Sequence, residues 1–265
     1  MKLSIIHNLY KKNKHVNESV RLNLISLRNA NIDFEYILFN DNGDIEIKED
    51  IIEFLVDKKV IYHYSNINYG KKQCSGGWVG AIPLLTGDCI HNTGQDDVFS
   101  EMFYKECMEN LEKDKNLMLC FSNAFITNEN LIPTSFMLNP TVEIDYSNPF
   151  KMFKWWFGVG ENGKNEVTRA NNNIPAPGVI YRKKLHDLIG YPDLDNFLGA
   201  ADFEYWARIL FYEYKCKCVN KPLWLYRRSM ESASNLPGNE KIINECINKI
   251  KNKYYNLYKQ KNNKL

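Results

Sequence analysis

Acidic residues stand at two points of the chain where an apolar run gives way to a loop. Asp41 follows a run that ends at Phe39, and Asp96 and Asp97 follow a run that ends at Asn92. In an open α/β sheet, ligands bind at the carboxyl ends of the strands. Carboxylate oxygens at such ends can hold Mg²⁺ or Mn²⁺, hard cations that are commonly shared with a diphosphate.

The adjacent acids Asp96 and Asp97 also have a purely structural interpretation. A helix is predicted to begin at Val98, directly after them. Acidic residues are favoured at the N-cap and in the first turn of a helix, because the helix dipole and the free N–H groups attract negative charge there. The sequence leaves the metal-site and helix-cap interpretations open.

A third acid, Asp202, is predicted at the start of another helix. A carboxylate in this position can remove the proton from a hydroxyl nucleophile, or it can act only as a partner for the helix N-terminus. Glu204 is the nearest alternative base. Because two positions along a helix differ by about 200°, Asp202 and Glu204 cannot both face one site.

Strands and helices alternate along the part of the chain that must position these acids. Apolar runs bounded by turn residues predict strands, and apolar residues at helical spacing predict helices. Short loops between them imply a largely parallel sheet with helices on both faces. Strands are predicted over residues 3–8, 34–39, 60–64, 88–92, 117–127, 178–182 and 221–227, and helices over 16–30, 48–56, 77–85, 98–111 and 201–212.

A series of short motifs, in order from residue 3 to about residue 234, resembles the family 2 glycosyltransferases with a GT-A fold. The opening strand and turn keep Tyr10, with Asn8 where that family usually has proline. The other matching motifs are Asp41-Asn42-Gly43-Asp44, Asn68-Tyr69-Gly70, Leu85-Thr86-Gly87-Asp88, Gln95-Asp96-Asp97, the segment from Asp202 to Arg208, and the segment from Pro222 to Arg227.

Three acidic residues of the family's pattern are replaced. Gly94 replaces the first acid of the metal motif, Asn42 replaces the second acid of the Asp-Asp-Gly-Ser turn, and Ala201 replaces the glutamate before the presumed base. These departures support an alternative function, in which a GT-A relative binds nucleotide or glycan without turnover.

The resemblance implies an α/β protein with a mixed, mostly parallel central sheet flanked by helices. Residues 1–238 would form the GT-A domain, with a nucleotide-sugar-binding half over 1–115 and an acceptor-binding half over 116–238. The implied activity is metal-dependent, inverting transfer of a sugar from a nucleotide-diphosphate sugar, more specifically a UDP-sugar, to a hydroxyl of a glycan or glycolipid acceptor.

The resemblance also assigns roles to individual residues. The residues themselves leave two interpretations open for Arg208 and Arg227, namely contacts with a diphosphate or structural ion pairs. Tyr10 and Asp41 would hold the base and ribose of the donor, Asn68, Lys71 and Asp96 would complete the donor site, Asp97 would bind Mn²⁺ or Mg²⁺, and Asp202 would be the catalytic base.

The residue pattern over 239–265 predicts a basic amphipathic helix with an apolar stripe between Ile243 and Tyr258. Such a stripe can dock on the GT-A domain, as in many globular proteins. Alternatively, the lysines of its other face can rest on an anionic membrane. Both interpretations stay open at this stage.

Composition limits the partners and the compartment. The net charge is only +2, so we expect no nucleic-acid partner. No apolar stretch approaches the roughly 18 residues of a membrane span, and six residues before His7 are too few for the apolar core of a signal peptide. Seven cysteines without paired spacing indicate a reducing compartment. We therefore expect a cytoplasmic protein, with peripheral membrane contact through the C-terminal helix as the alternative.

Overall fold

The structure, a computed structural model, describes residues 1–70, 76–138, 148–149, 174–229 and 238–262. Lys71, a predicted donor-site residue, lies outside these ranges.

The strands are β1 (Lys2–Leu9), β2 (Asp33–Asn40), β3 (Val60–Tyr64), β4 (Cys89–Thr93), β5 (Val98–Phe99), β6 (Leu117–Thr127), β7 (Pro133–Phe136), β8 (Val179–Arg182) and β9 (Lys215–Arg227). The helices are α1 (Val16–Asn29), α2 (Ile47–Ile51), α3 (Gly76–Gly80), α4 (Glu101–Lys113), α5 (Leu185–Ile189), α6 (Leu194–Phe197), α7 (Ala201–Phe211) and α8 (Asn239–Asn262).

The strands form one sheet in the order β3-β2-β1-β4-β8-β6-β9-β5, and β7 pairs with β6 beside this path. Parallel pairs join β1 to β2 and to β4, and β2 to β3. The carboxyl ends of these four strands therefore meet at one edge. Because β8 runs antiparallel to both β4 and β6, the sheet is mixed, and it continues without a break between the two predicted halves.

Burial on both faces explains why β1 and β2 are almost continuously apolar. Seven of the eight residues of each strand are buried. Ile5 and Ile6 of β1 belong to two different core clusters, one on each face of the sheet. A strand covered by helices on both sides needs apolar residues at successive positions rather than at alternate ones. The predicted α/β architecture is thereby confirmed.

The helix predicted over residues 98–111 begins later than expected, and this part of the prediction was wrong. Val98 and Phe99 form β5 and pair with β9. Ser100 is the N-cap of α4, and its Oγ accepts a hydrogen bond of 3.2 Å from the N–H group of Phe103. Val98 and Phe99 are good strand residues, and the strand that they pair with lies far along the chain, where local patterning cannot reveal it.

This difference decides one of the open alternatives. Ser100, rather than Asp96 or Asp97, caps the helix. The two acids belong to the connection between β4 and β5, at the carboxyl edge of the sheet. The helix-cap interpretation of Asp96 and Asp97 is therefore excluded.

Three other predicted elements differ in length. The helix predicted over 48–56 is α2 followed by a 3-10 turn at Ile52–Val56, and the one predicted over 77–85 is α3 followed by a 3-10 turn at Ile82–Leu84. The predicted strand 221–227 is the end of β9, which begins at Lys215 because it pairs in parallel with nearly the whole of β6.

The C-terminal helix α8 packs on the domain through its apolar stripe. Ile250 and Tyr254 are buried in the same core cluster as residues of α7. A side chain at Gly199, just before α7, would meet Ile242 and Ile243 of α8 within 3.4 Å. The docked interpretation of this stripe is thereby borne out by its contacts. In the described ranges, no helix combines the length and the apolar character needed to cross a bilayer.

Candidate active site

Gln95 joins the ends of β1 and β4 at the carboxyl edge. Its side-chain oxygen accepts hydrogen bonds from the backbone N–H groups of Tyr10 at 2.7 Å and Lys11 at 3.2 Å. Its side-chain nitrogen donates to the Lys11 carbonyl at 2.7 Å. An amide can accept and donate at once, whereas a carboxylate at this position could only accept. Sequence reasoning missed this role because the partners are backbone atoms of residues far away in the chain, directly after β1.

Asp41 anchors the turn that contains Asn68. Its two carboxylate oxygens accept hydrogen bonds of 2.8 Å from the N–H groups of Tyr69 and Gly70. The side chain is almost fully buried, and burial raises its pKa against the effect of these two hydrogen bonds. A Cβ atom at residue 76 would lie 1.8 Å from the Asp41 carboxylate, so only glycine fits there.

Tyr10 contacts the turn that follows Asp41. The N–H group of Asp44 donates to the Tyr10 carbonyl at 2.8 Å. A Cβ atom at Gly43 would lie 1.8 Å from the same carbonyl oxygen, so the turn requires glycine for this close approach. The structure thus brings Tyr10, Asp41 and Asn68 to one end of β1 and β2.

Asp96 and Asp97 converge on the space above Gly94. A Cβ atom built on Gly94 would lie 3.2 Å from Asp97 Oδ2 and 3.8 Å from Asp96 Oδ1. Both oxygens therefore lie within 4 Å of a single point, which a larger residue at position 94 would fill. Asp97 is only 2% exposed, whereas Asp96 is half-buried.

The electrostatics of this pair favour a cation. Burial raises the pKa of Asp97 well above its usual value, the charge of Asp96 raises it further, and Arg227 lowers it. Two carboxylates that repel each other across a small gap fit a divalent ion such as Mn²⁺ or Mg²⁺. In the part of the chain that the structure describes, no group of three or more His, Cys, Asp or Glu residues could hold a metal. An ion at this pair would need further oxygens from a ligand and from water, as is usual for Mg²⁺.

Arg227, at the end of β9, supports the loop that carries these acids. Its Nε donates to the Asp96 carbonyl at 3.1 Å, and its backbone N–H donates to Asp97 Oδ1 at 3.4 Å. Its guanidinium also pairs with Glu18 at 2.6 Å and contacts His15 at 2.9 Å. Because the side chain is only 1% exposed, Arg227 is a structural residue of the loop rather than a ligand contact.

Asp202 lies in the first turn of α7 and is half-buried. Burial raises the pKa of its carboxyl group, against the hydrogen bond of 2.6 Å that it accepts from the N–H group of Phe203. The N-cap position belongs to Ala200, which has no side chain able to cap. A carboxylate with a raised pKa is a stronger base, which suits the predicted role of Asp202.

Glu204 faces a different part of the molecule. It is fully buried, and its Oε1 lies 2.7 Å from Lys253 Nζ and accepts a hydrogen bond of 2.8 Å from the Tyr254 hydroxyl, both on α8. Its other oxygen is bound by the guanidinium of Arg208, one turn further along α7. Glu204 and Arg208 are therefore structural, and the alternative of Glu204 as the base is excluded.

We predict that Glu204→Gln strongly destabilises the fold. The variant removes the charge of the fully buried Glu204, which pairs with Arg208 and Lys253, and the loss of a hydrogen-bonded charge of this kind typically costs about 1.5–3 kcal/mol. The free energy of unfolding, measured in urea, should fall by that amount. Glu213→Gln is the matched control, because Glu213 pairs with Lys261 at a site where both side chains are exposed, and its loss should cost below about 1 kcal/mol. Equal losses in the two variants would contradict the assignment.

We also predict that Asp97→Asn preserves stability but abolishes Mn²⁺-dependent binding of UDP. Because burial disfavours the Asp97 carboxylate, removing its charge while keeping its shape should leave the melting temperature unchanged or raise it. Calorimetric titration of UDP with and without Mn²⁺ measures the binding. Asp57→Asn, in the turn before β3, is the control and should keep the Mn²⁺ dependence. Normal Mn²⁺-dependent binding by Asp97→Asn would show that Asp97 is no ligand.

Solved structures of glycosyltransferases share this architecture. The chain is similar to Staphylococcus aureus TarS 1–349 in complex with UDP-GlcNAc, with a TM-score of 0.63 and 14% identity over 94% of this chain and 65% of that chain. For the same protein in complex with UDP, the TM-score is 0.59 and the identity 15%, over 93% of this chain and 65% of that chain.

A mannosyltransferase from Pyrobaculum calidifontis, PcManGT in complex with GDP-Man and Mn²⁺, gives a TM-score of 0.59 at 10% identity, over 90% of this chain and 59% of that chain. The chain thus spans less than two thirds of the length of these neighbours. No protein-family model and no curated protein matches the sequence. The structural matches and the mixed sheet with its flanking helices establish that this chain has the GT-A fold.

Proposed function

We propose that this chain transfers a sugar from a nucleoside-diphosphate sugar to an acceptor hydroxyl. The observation that carries the proposal is the convergence of Asp96 and Asp97 over Gly94 at the carboxyl edge of a GT-A sheet. One neighbour with this fold is in complex with UDP-GlcNAc, and another is in complex with GDP-Man and Mn²⁺. The arrangement of acids supports a donor of the same class.

In this proposal, residues 1–115 form the donor half and residues 116–238 the acceptor half. Tyr10 and Asn68 contact the base and ribose of a UDP-linked donor. Asp41 acts at the same place, chiefly by holding the turn of residues 68–70 against β2. Lys71 lies outside the described residues, and its contact with the diphosphate stays a prediction.

Asp96 and Asp97 would hold Mn²⁺ or Mg²⁺ in the space above Gly94. The ion would supply positive charge that stabilises the departing diphosphate. Arg227 supports this arrangement, because its side chain binds the backbone carbonyl of Asp96 and its backbone N–H binds the carboxylate of Asp97. The small residue at position 94 keeps the space between the carboxylates open.

Asp202 would accept the proton of the acceptor hydroxyl as that oxygen attacks the anomeric carbon. A single base on one side of the sugar and a leaving diphosphate on the other give in-line displacement, and therefore inversion. The raised pKa of Asp202 supports this role because a base works best when its pKa approaches the working pH.

The experiment that tests this function measures free nucleoside diphosphate released from UDP-GlcNAc, UDP-Glc, UDP-Gal and GDP-Man with Mn²⁺. We expect release from a UDP-sugar that stops when EDTA removes the metal. The residues Asn42, Gly94 and Ala201 favour the second candidate, a GT-A protein that binds without turnover. Calorimetric UDP binding with no release from any donor, also when glycan acceptors are added, would support that second function.

We predict that Asp202→Asn reduces release by about 10²–10⁴-fold while donor affinity stays unchanged, since removal of a general base typically costs this much. Because burial raises the pKa of Asp202, wild-type kcat/KM should fall as the pH drops through a value above 3.8, where the carboxylate becomes protonated. The residual kcat/KM of Asp202→Asn should not show this fall at low pH. Near-normal turnover by Asp202→Asn would assign the base elsewhere.

We expect the protein to act in the cytoplasm, with membrane contact restricted to electrostatic attraction. The apolar stripe of α8 is buried against α7, which leaves exposed lysines such as Lys241, Lys249 and Lys251. Each lysine near an anionic surface contributes roughly 1 kcal/mol. Co-sedimentation with phosphatidylserine vesicles should therefore occur at low ionic strength and disappear at high salt. Binding that persists at high salt would require an apolar insertion that the docked helix does not offer.

A further inference from the structure

Helix α1 turns a small polar face toward the acidic loop, which we define as residues 94–97. Ser19 and Asn23 of α1 are both fully buried, although the residues beside them, Val20 and Leu24, are apolar members of a core cluster. Positions four apart on a helix lie on the same face, one turn from each other. A buried polar side chain costs free energy unless it is hydrogen-bonded. The partners of Ser19 and Asn23 therefore explain why polar residues occur here.

The Asn23 amide connects the end of the acidic loop to the start of β5. Its Nδ2 donates a hydrogen bond of 3.0 Å to the Asp97 carbonyl, and its Oδ1 accepts one of 2.8 Å from the N–H group of Phe99. The amide uses both of its functions here, whereas a carboxylate could only accept and an alkyl group could do neither. Asn23 thereby holds the backbone on both sides of Val98, directly after the two acids.

Ser19 holds the beginning of the same loop. Its Oγ donates to the Gln95 carbonyl at 2.5 Å, and Nε2 of the buried His7 lies 3.3 Å from that carbonyl. The Asp96 carbonyl is bound by Arg227, as described above. Each of the three consecutive carbonyls at positions 95, 96 and 97 is thus bound by a side chain from another element of the fold.

These contacts determine the shape of the acidic loop. Residues 94–97 belong to no strand or helix, so no ladder of backbone hydrogen bonds fixes them. The carboxylates of Asp96 and Asp97, which both reach within 4 Å of the point above Gly94, are attached to this backbone. Side chains that orient metal ligands without touching the ion typically contribute about 10–100-fold to metal affinity.

We propose that Asn23 is a positioning residue for the two acids, and that Ser19 has the same role one turn earlier on α1. Both act through the backbone of the acidic loop and keep the carboxylates of Asp96 and Asp97 at the spacing that a divalent cation needs. The inference rests on the proposed function, because it concerns the ion that would be shared with the diphosphate of the donor.

The test compares Asn23→Ala with Asn123→Ala in the full chain. Asn123 is a matched control because its amide is also buried, at 2% exposure, and also binds backbone groups on both of its functions. Its Nδ2 donates to the Leu138 carbonyl at 3.0 Å, and its Oδ1 accepts from the N–H group of Leu138 at 2.8 Å. Asn123→Ala therefore removes the same chemistry without touching the acidic loop.

Calorimetry measures UDP binding without metal and the Mn²⁺ concentration that gives half-maximal UDP binding. In Asn23→Ala this Mn²⁺ concentration should rise by about 10–100-fold, while the UDP affinity without Mn²⁺ stays unchanged. Asn123→Ala should lower the melting temperature by a similar amount and leave both binding values unchanged. If Asn23→Ala does not fold, Ser19→Ala decides, and its Mn²⁺ requirement should rise less, since His7 still contacts the Gln95 carbonyl.

Hydrogen–deuterium exchange of the ligand-free chain provides a second readout. In Asn23→Ala, exchange should become faster in a peptide that covers residues 95–99, because the N–H group of Phe99 loses its acceptor. In Asn123→Ala, that peptide should exchange as in the wild type.

An unchanged Mn²⁺ requirement in Asn23→Ala would overturn the inference, and so would an equal rise in Asn123→Ala, because the effect would then follow general destabilisation. Wild-type release of nucleoside diphosphate together with UDP binding that ignores Mn²⁺ would also overturn it, but would leave sugar transfer standing. Mn²⁺-dependent UDP binding without release from any donor would instead count against the proposed function, and the role of Asn23 would stand.

Discussion

The buried guanidinium of Arg227 is the interaction on which the carboxyl edge of the sheet depends. A cation with 1% exposure is stable only when protein groups replace the water that it has lost. Here the replacements come from three separate segments, namely Glu18 of α1, the carbonyl of Glu129 after β6, and the carbonyl of Asp96. One side chain at the end of β9 therefore fixes the distance between the last long strand, the first helix and the acidic loop.

Two buried acids differ in how far the surrounding protein compensates their negative charge. Glu204 is surrounded by Arg208, Lys253 and the hydroxyl of Tyr254, so its charge is compensated within the fold. Asp97 accepts a long hydrogen bond from a backbone N–H group, and the charge of its neighbour Asp96 repels it. Burial of a carboxylate with weak compensation costs free energy, and a bound cation would offset that cost. This contrast supports a ligand site at Asp97 and none at Glu204.

The C-terminal helix α8 is an integral part of the domain. Its residues Ile250 and Tyr254 complete one of the two core clusters, and Lys253 pairs with an acid of α7.

The sequence by itself determined the alternation of strands and helices, the burial of β1 and β2, and the order of the acidic motifs, because these follow from local periodicity and from residues that end strands. It could not determine that Val98 and Phe99 form a strand, since their partner is β9. It also left Asp96 and Asp97 with two interpretations, and the cap formed by Ser100 excluded one of them, the helix cap. The structural role of Glu204 depends on α8, and the role of Gln95 depends on backbone atoms of Tyr10 and Lys11, which follow β1. Tertiary structure decided these points because each depends on an interaction between residues far apart in the chain.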